Sequence, residues 1–156
     1  MRLYHSSTIV VSNPDTAHSR DYLDFGKGFY LTSIYEQAVR YAERFKRRGR
    51  DAWLNTYELN YQPADWKILA FEAYDAAWLE FVSTCRAGND VSDYDIVVGG
   101  IANDRVILTL DRYFAGEISQ EEALGLLRFE KPNIQYCTRS ERMIAHCLTY
   151  IESKEL

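Results

Sequence analysis

Between Asp24 and Ser33 the chain reads Asp-Phe-Gly-Lys-Gly-Phe-Tyr-Leu-Thr-Ser, and this stretch limits the available folds more than any other. Glycines at 26 and 28 permit a tight turn and a close approach of backbone to a neighbour, because no Cβ stands in the way. Tyr30 follows in a segment whose side chains alternate as in a strand, and Ser33-Ile34-Tyr35-Glu36 has the spacing of a capping box that opens a helix. Over residues 34–48, Ala38, Tyr41, Ala42 and Phe45 recur at helical spacing, which predicts a buried face that includes Tyr41, close to the strand of Tyr30. Gly49 then ends the helix. Two tyrosines beside a glycine turn can clamp a flat ring. The two glycines do not extend to GxGxxG with an acidic residue at the ribose spacing, so a Rossmann unit is excluded.

The remaining pattern interleaves strands and helices irregularly. Residues 2–6, 9–11, 28–32, 53–61, 67–71, 94–101 and 133–138 read as extended. In 53–61, Trp53, Asn55, Tyr57, Leu59 and Tyr61 share one face. Tyr74, Ala77, Trp78, Phe81, Val82 and Cys85 mark one amphipathic helix; Val106, Leu110, Tyr113 and Phe114 mark another, stopped by Gly116. Ser119-Gln120-Glu121-Glu122 is a second capping box. Ser140 precedes Met143, Ile144, Cys147 and Leu148 at helical spacing, while the tail from Leu148 reads equally as an edge strand. Such irregular succession predicts an α+β fold. With 156 residues, the chain forms one domain, 1–156, able to bury about 70% of its unfolded surface.

A formal charge of −5 argues against general polyanion binding. Arg44, Lys46, Arg47, Arg48 and Arg50 nonetheless cluster at one helix end, where they either complement the helix dipole or grip a diphosphate or nucleic-acid acceptor. Cys85, Cys137 and Cys147 lack CxxC spacing, so neither a disulfide framework nor a metal site is indicated. That usage fits a reducing compartment, and with no signal-like segment and no run near the ~18 apolar residues of a membrane span, the expected location is cytoplasmic, away from membranes.

Leu3-Tyr4-His5-Ser6-Ser7 and Phe25-Gly26-Lys27-Gly28-Phe29-Tyr30 resemble the first two NAD-binding motifs of the diphtheria-toxin-like and poly(ADP-ribose)-polymerase-like ADP-ribosyltransferases. A wider resemblance, through Tyr94-Asp95-Ile96-Val97-Val98-Gly99 and Ile134-Gln135-Tyr136-Cys137-Thr138, is to an uncharacterised bacterial family, the domain of unknown function 3990. The resemblance implies a split β-sandwich with flanking helices, NAD as co-substrate in the cleft between the sheets, and transfer of one ADP-ribose to a protein or nucleic acid. It further implies a toxin or defence effector with a cognate antitoxin.

By the same resemblance, His5 donates to the adenosine ribose and the backbone of Ser6 grips the nicotinamide amide. Gly28 lies at the turn, and Tyr30 and Tyr41 flank the ring. Ala38 stands where the family often carries serine, leaving Ser7 or Thr32 to supply a hydroxyl. Gln135 occupies the position of the family glutamate and completes a catalytic set with His5 and Tyr30; Glu130 and Glu141 are the alternative acids. Asp95, Asn103 and Asp104 bracket Gly99-Gly100 and either position an acceptor or form a turn and helix cap. A non-catalytic NAD or ADP-ribose binding module is the rival reading, and an interaction domain without nucleotide is the third.

Overall fold

The computed structural model describes Met1–Leu156. In chain order it contains β1 (Arg2–Ser7), β2 (Phe29–Leu31), α1 (Tyr35–Arg47), β3 (Trp53–Leu59), a 3-10 turn at Pro63–Asp65, β4 (Ile68–Ala70), α2 (Ala76–Arg86), β5 (Ile96–Ile101), α3 (Asp104–Phe114), α4 (Gln120–Leu127), β6 (Asn133–Thr138), α5 (Glu141–Cys147) and β7 (Leu148–Glu155). The fold is α+β. One sheet has the order β1-β3-β7 and is antiparallel; the other has the order β2-β6-β5-β4, with β4 parallel to β5 and the other pairs antiparallel. No helix is long and apolar enough to cross a membrane.

Two apolar clusters occupy opposite faces of the four-stranded sheet. Leu3, Tyr57 and Leu59 of the first sheet meet Phe29, Leu31 and Ile96 of the second, with Met143 of α5 closing the group. On the far face, Val97 and Cys137 lie under Trp78, Leu79 and Val82 of α2, Val106 and Leu110 of α3, and Leu127 of α4. Alternation along the strands accounts for the partition, since neighbours in sequence point to opposite faces. β3 is buried on both sides, including Leu54 and Thr56, because α1 covers the outer face of its sheet: Ser6 Oγ of β1 donates to the Ala38 carbonyl at 2.5 Å, and the Tyr4 and Tyr35 rings meet edge to face at 5.5 Å.

Helix ends follow local chemistry with one exception. α1 stops at Gly49, whose φ of +70° suits the left-handed region, and the amides of Gly49 and Arg50 return to the carbonyls of Lys46 and Phe45 in a Schellman arrangement. Asp75, Asn103 and Ser140 each cap a helix, and Ser119 with Glu122 forms a complete capping box. Ser33 does not cap α1. Ile34 occupies the N-cap without a side-chain bond, and Thr32 Oγ1 instead accepts from the Ile34 amide at 3.1 Å. Residues 9–11 are not a strand, and the tail from Leu148 is an edge strand paired to β3.

Asn55 explains the path of residues 9–11. Fully buried in β3, it donates from Nδ2 to the carbonyls of His5 and Ile9, both at 3.3 Å, and its Oδ1 accepts from the Val11 amide at 2.9 Å and from Ser153 Oγ at 2.5 Å. Tyr57 OH adds a bond to the Val11 carbonyl at 2.6 Å. One amide thus ties β1, the following loop and β7 together. Removing it strands several polar groups away from water, each at a cost of about 1–3 kcal/mol. Asn55→Leu is expected to lower the unfolding free energy by about 3 kcal/mol, read as a lower urea midpoint at unchanged slope; a midpoint equal to that of the parent would show that the amide holds nothing.

Candidate functional site

The two sheets are joined at a single bridge. Tyr4 N–H donates to the Thr32 carbonyl at 2.8 Å and Thr32 N–H to the Tyr4 carbonyl at 2.9 Å, and no ladder between β1 and β2 extends beyond it. Backbone groups of a strand point to one edge at every second residue, so the N–H and C=O of Ser6 face the same edge as those of Tyr4. β2 does not pair with them. The result is a notch where the strands part, with an open donor and acceptor on one wall. The Ser6 side chain rises to α1 instead, perpendicular to that edge, so its Cβ does not obstruct the approach.

His5 lies on the inner face of its sheet, half-buried, with its ring 4.3 Å from that of Phe29. Nδ1 sits 2.8 Å from the Tyr30 carbonyl. A carbonyl only accepts, so Nδ1 carries the hydrogen and Nε2 presents a lone pair. Desolvation draws the imidazole below its ordinary pKa, which keeps it neutral near pH 7. In this tautomer Nε2 can only accept a hydrogen bond, the reverse of the donation that the resemblance implies.

The glycine turn is closed by its own tyrosine. Tyr30 OH donates to the Gly26 carbonyl at 2.6 Å and accepts from the Phe25 amide at 3.0 Å, while its ring stacks on Phe25 at 6.4 Å. Burial raises the phenol pKa. Gly26 has φ of +77° and needs to be glycine for the turn. Gly28 is required for packing: a Cβ there would stand 2.8 Å from the Thr138 carbonyl and 3.3 Å from Arg139 Cγ, so β6, not a ligand, fills the space. Two ion pairs brace the turn. Asp24 accepts from Arg86 Nε at 2.6 Å and from the Ala102 amide at 2.8 Å, and Arg139 Nη2 reaches Asp90 at 2.6 Å. Arg86 is therefore more than a helix terminus. No local sequence pattern could signal these pairs, since Asp24 and Arg86 are 62 positions apart.

Gln135 pairs in register with Gly99, and Tyr30 with Cys137, two residues further along β6. Tyr30 and Gln135 therefore share one face of the second sheet, while His5 faces the gap between the sheets. Gln135 is half-buried and its amide makes no hydrogen bond within the chain. The alternative acids are committed elsewhere: Glu130 pairs with Arg105 at 3.1 Å, and Glu141 accepts from both the amide and hydroxyl of Thr16 at 2.7 Å. Thr32 Oγ1 donates to Gln37 at 3.0 Å, and Ser7 Oγ accepts from the Ile9 amide at 3.4 Å. Of the hydroxyls Ser6, Ser7 and Thr32, only that of Ser7 has its hydrogen free.

Tyr41 is not on the buried face. It is 41% exposed, its ring edge to face with Phe45 at 5.7 Å and the Arg44 guanidinium 5.1 Å above it. Asn103 caps α3 through the Val106 amide, Asp104 opens that helix, and Asp95 accepts from the Lys67 amide at 2.9 Å. These residues serve turns and caps. All three cysteines are buried and free, and burial pushes the thiols of Cys85 and Cys137 up to about 12, which leaves both as unreactive thiols.

Fold and notch together define an α+β domain with two sheets that meet at one bridge and part beside a histidine-bearing strand. The chain belongs to the family described as Protein of unknown function (DUF3990), whose model matches residues 1–150. Comparison with curated proteins and with solved structures finds no match.

Because folded His5 resists protonation, the unfolded chain takes up a proton below pH 6.5 that the folded chain refuses. Its stabilising contribution is present above that pH and is lost as pH falls through the lower, folded pKa. The melting temperature is expected to fall more steeply between pH 7 and pH 5 in the parent than in His5→Phe. Parallel curves for the two proteins would mean that His5 titrates normally.

Proposed function

We propose that this protein transfers a single ADP-ribose from NAD to a macromolecular acceptor, and that nicotinamide docks at the open edge of Ser6. The edge carries the reading: a primary carboxamide offers an N–H and a C=O, the complement of one strand N–H and one strand C=O. Beside it, the lone pair on His5 Nε2 suits a ribose hydroxyl, and the free hydrogen of Ser7 suits the amide oxygen. The motif resemblance of residues 3–7 and 25–30 points to the same chemistry.

In that reaction the bond between nicotinamide and ribose C1′ breaks with both electrons passing to the ring nitrogen, so nicotinamide leaves neutral. The acceptor bonds to C1′ from the opposite face and loses its proton. The chain's part is to orient the two groups and favour the cationic sugar. Gln135 lies on the other face of the second sheet from His5, so it meets a ribose only where the ligand reaches past the parted strands; there its uncommitted amide supplies a dipole where a carboxylate would supply a full charge. Slow, single-unit transfer is the form this supports. A toxin or defence effector acting in the cytoplasm and restrained by a partner protein is the setting that the resemblance suggests.

The uncharged Gln135 also favours a second reading, an NAD or ADP-ribose binding module without turnover. Thermal stabilisation by NAD, followed together with free nicotinamide, separates the two: stabilisation with release means transferase, and stabilisation alone means reader. An interaction made only in the transition state alters rate and not affinity. Gln135→Glu is expected to raise nicotinamide release by about tenfold or more, the factor that ~1.4 kcal/mol provides, with NAD affinity nearly unchanged. Gln135→Ala should lower whatever release the parent shows. Identical release from parent and both variants would remove Gln135 from the site.

A further inference from the structure

The strongest concentration of unneutralised charge lies on and just beyond α1. Residues 40–50 hold six cations, Arg40, Arg44, Lys46, Arg47, Arg48 and Arg50, against one carboxylate, in a chain whose net charge is −5. All six are exposed. Only Arg47 pairs with an acid, Glu43 at 3.7 Å. Complementing the helix dipole does not account for the set, because that effect is confined to the last turn. Arg40 precedes that turn, and Arg48 and Arg50 follow the helix.

Aromatic surface accompanies the charge. Tyr41 is held upright against Phe45, 41% exposed, with the Arg44 guanidinium over one face of its ring. A positive track that carries an exposed ring and guanidinium planes matches unpaired nucleic acid, whose phosphates follow the cations while its bases stack on aromatic or guanidinium planes. A duplex hides its base faces and leaves such a ring without a partner. An acidic peptide would satisfy the cations but not the stacking surfaces. The track also adjoins the notch: Ala38, bonded to Ser6, is one helical turn from Tyr41.

From this we infer that the α1 surface binds single-stranded nucleic acid, and that this strand is the acceptor. The second half of the inference rests on the transferase reading above; the first does not. Binding is therefore measured without NAD, by fluorescence anisotropy of end-labelled oligothymidylate and oligouridylate, with a duplex of equal length and a polyglutamate peptide as competitors. The parent is expected to bind the single strands more tightly than either competitor, with affinity falling steeply as salt rises. Arg48→Ala/Arg50→Ala should flatten the log–log salt slope by about 1.4, or ~0.7 for each phosphate contact removed. Tyr41→Ala should weaken binding by about fivefold or more through lost stacking. Circular dichroism confirms that each variant is folded.

No binding by the parent at low salt, preference for duplex or peptide, or unchanged affinity in both variants overturns the inference. Nicotinamide release, assayed separately with NAD, keeps the two readings distinguishable. Oligonucleotide binding without release sinks the transferase reading and leaves the surface in place. If the parent releases nicotinamide and labels neither oligonucleotide, the acceptor assignment falls.

Discussion

Everything in the candidate site depends on the two hydrogen bonds between Tyr4 and Thr32. They are the only backbone link between sheets that otherwise meet through side chains. Because they lie at the last paired residue, the strands part just after them, and Ser6 is left with an unpaired edge in a protected corner. Unpaired strand edges are ordinarily liabilities that proteins shield. Here α1 lies over this one, fastened by the Ser6 hydroxyl to the Ala38 carbonyl.

That corner is kept rigid by groups some distance away in sequence. Asn55 holds the carbonyl of His5 from the β3 side, and the Tyr30 carbonyl orients the imidazole from the β2 side. Tyr30 meanwhile spends its hydroxyl on closing the glycine turn. The phenol that the motif alone would assign to a ring clamp thus acts first as a staple. A site built this way has its geometry set before any ligand arrives, which is the condition for binding energy to be used on orientation.

Local signals in the sequence were legible where both partners are neighbours. Ser119 and Glu122 form the capping box their spacing announces, and Gly49 ends α1 as its position predicts. The same signature at Ser33 and Glu36 fails: the helix begins one residue later, with Ile34 at the N-cap, and Thr32 Oγ1 accepts from the Ile34 amide. Tyr41 departs from the buried face for a geometric reason. At about 100° per residue it lies roughly 80° from the line between Ala38 and Ala42, at the margin of the apolar stripe. Asn55 read as one member of an aromatic face, and its four bonds depend on tertiary contacts no window contains. The motif singles out His5, but its tautomer is set by a carbonyl of another strand.

α1 connects these observations. Its small residues Ala38 and Ala42 are buried and let the helix lie close over β1, where the Ser6 hydroxyl fastens it. The same closeness turns Tyr41 and the cations outward, because a helix that seats itself on two alanines has a narrow buried stripe and a wide exposed one. Bulkier residues at 38 and 42 would lift the helix from the sheet, lengthen the Ser6 contact and shift the charged track relative to the notch. The small side chains that fix α1 over the open edge thereby also set how far its cationic outer face stands from that edge.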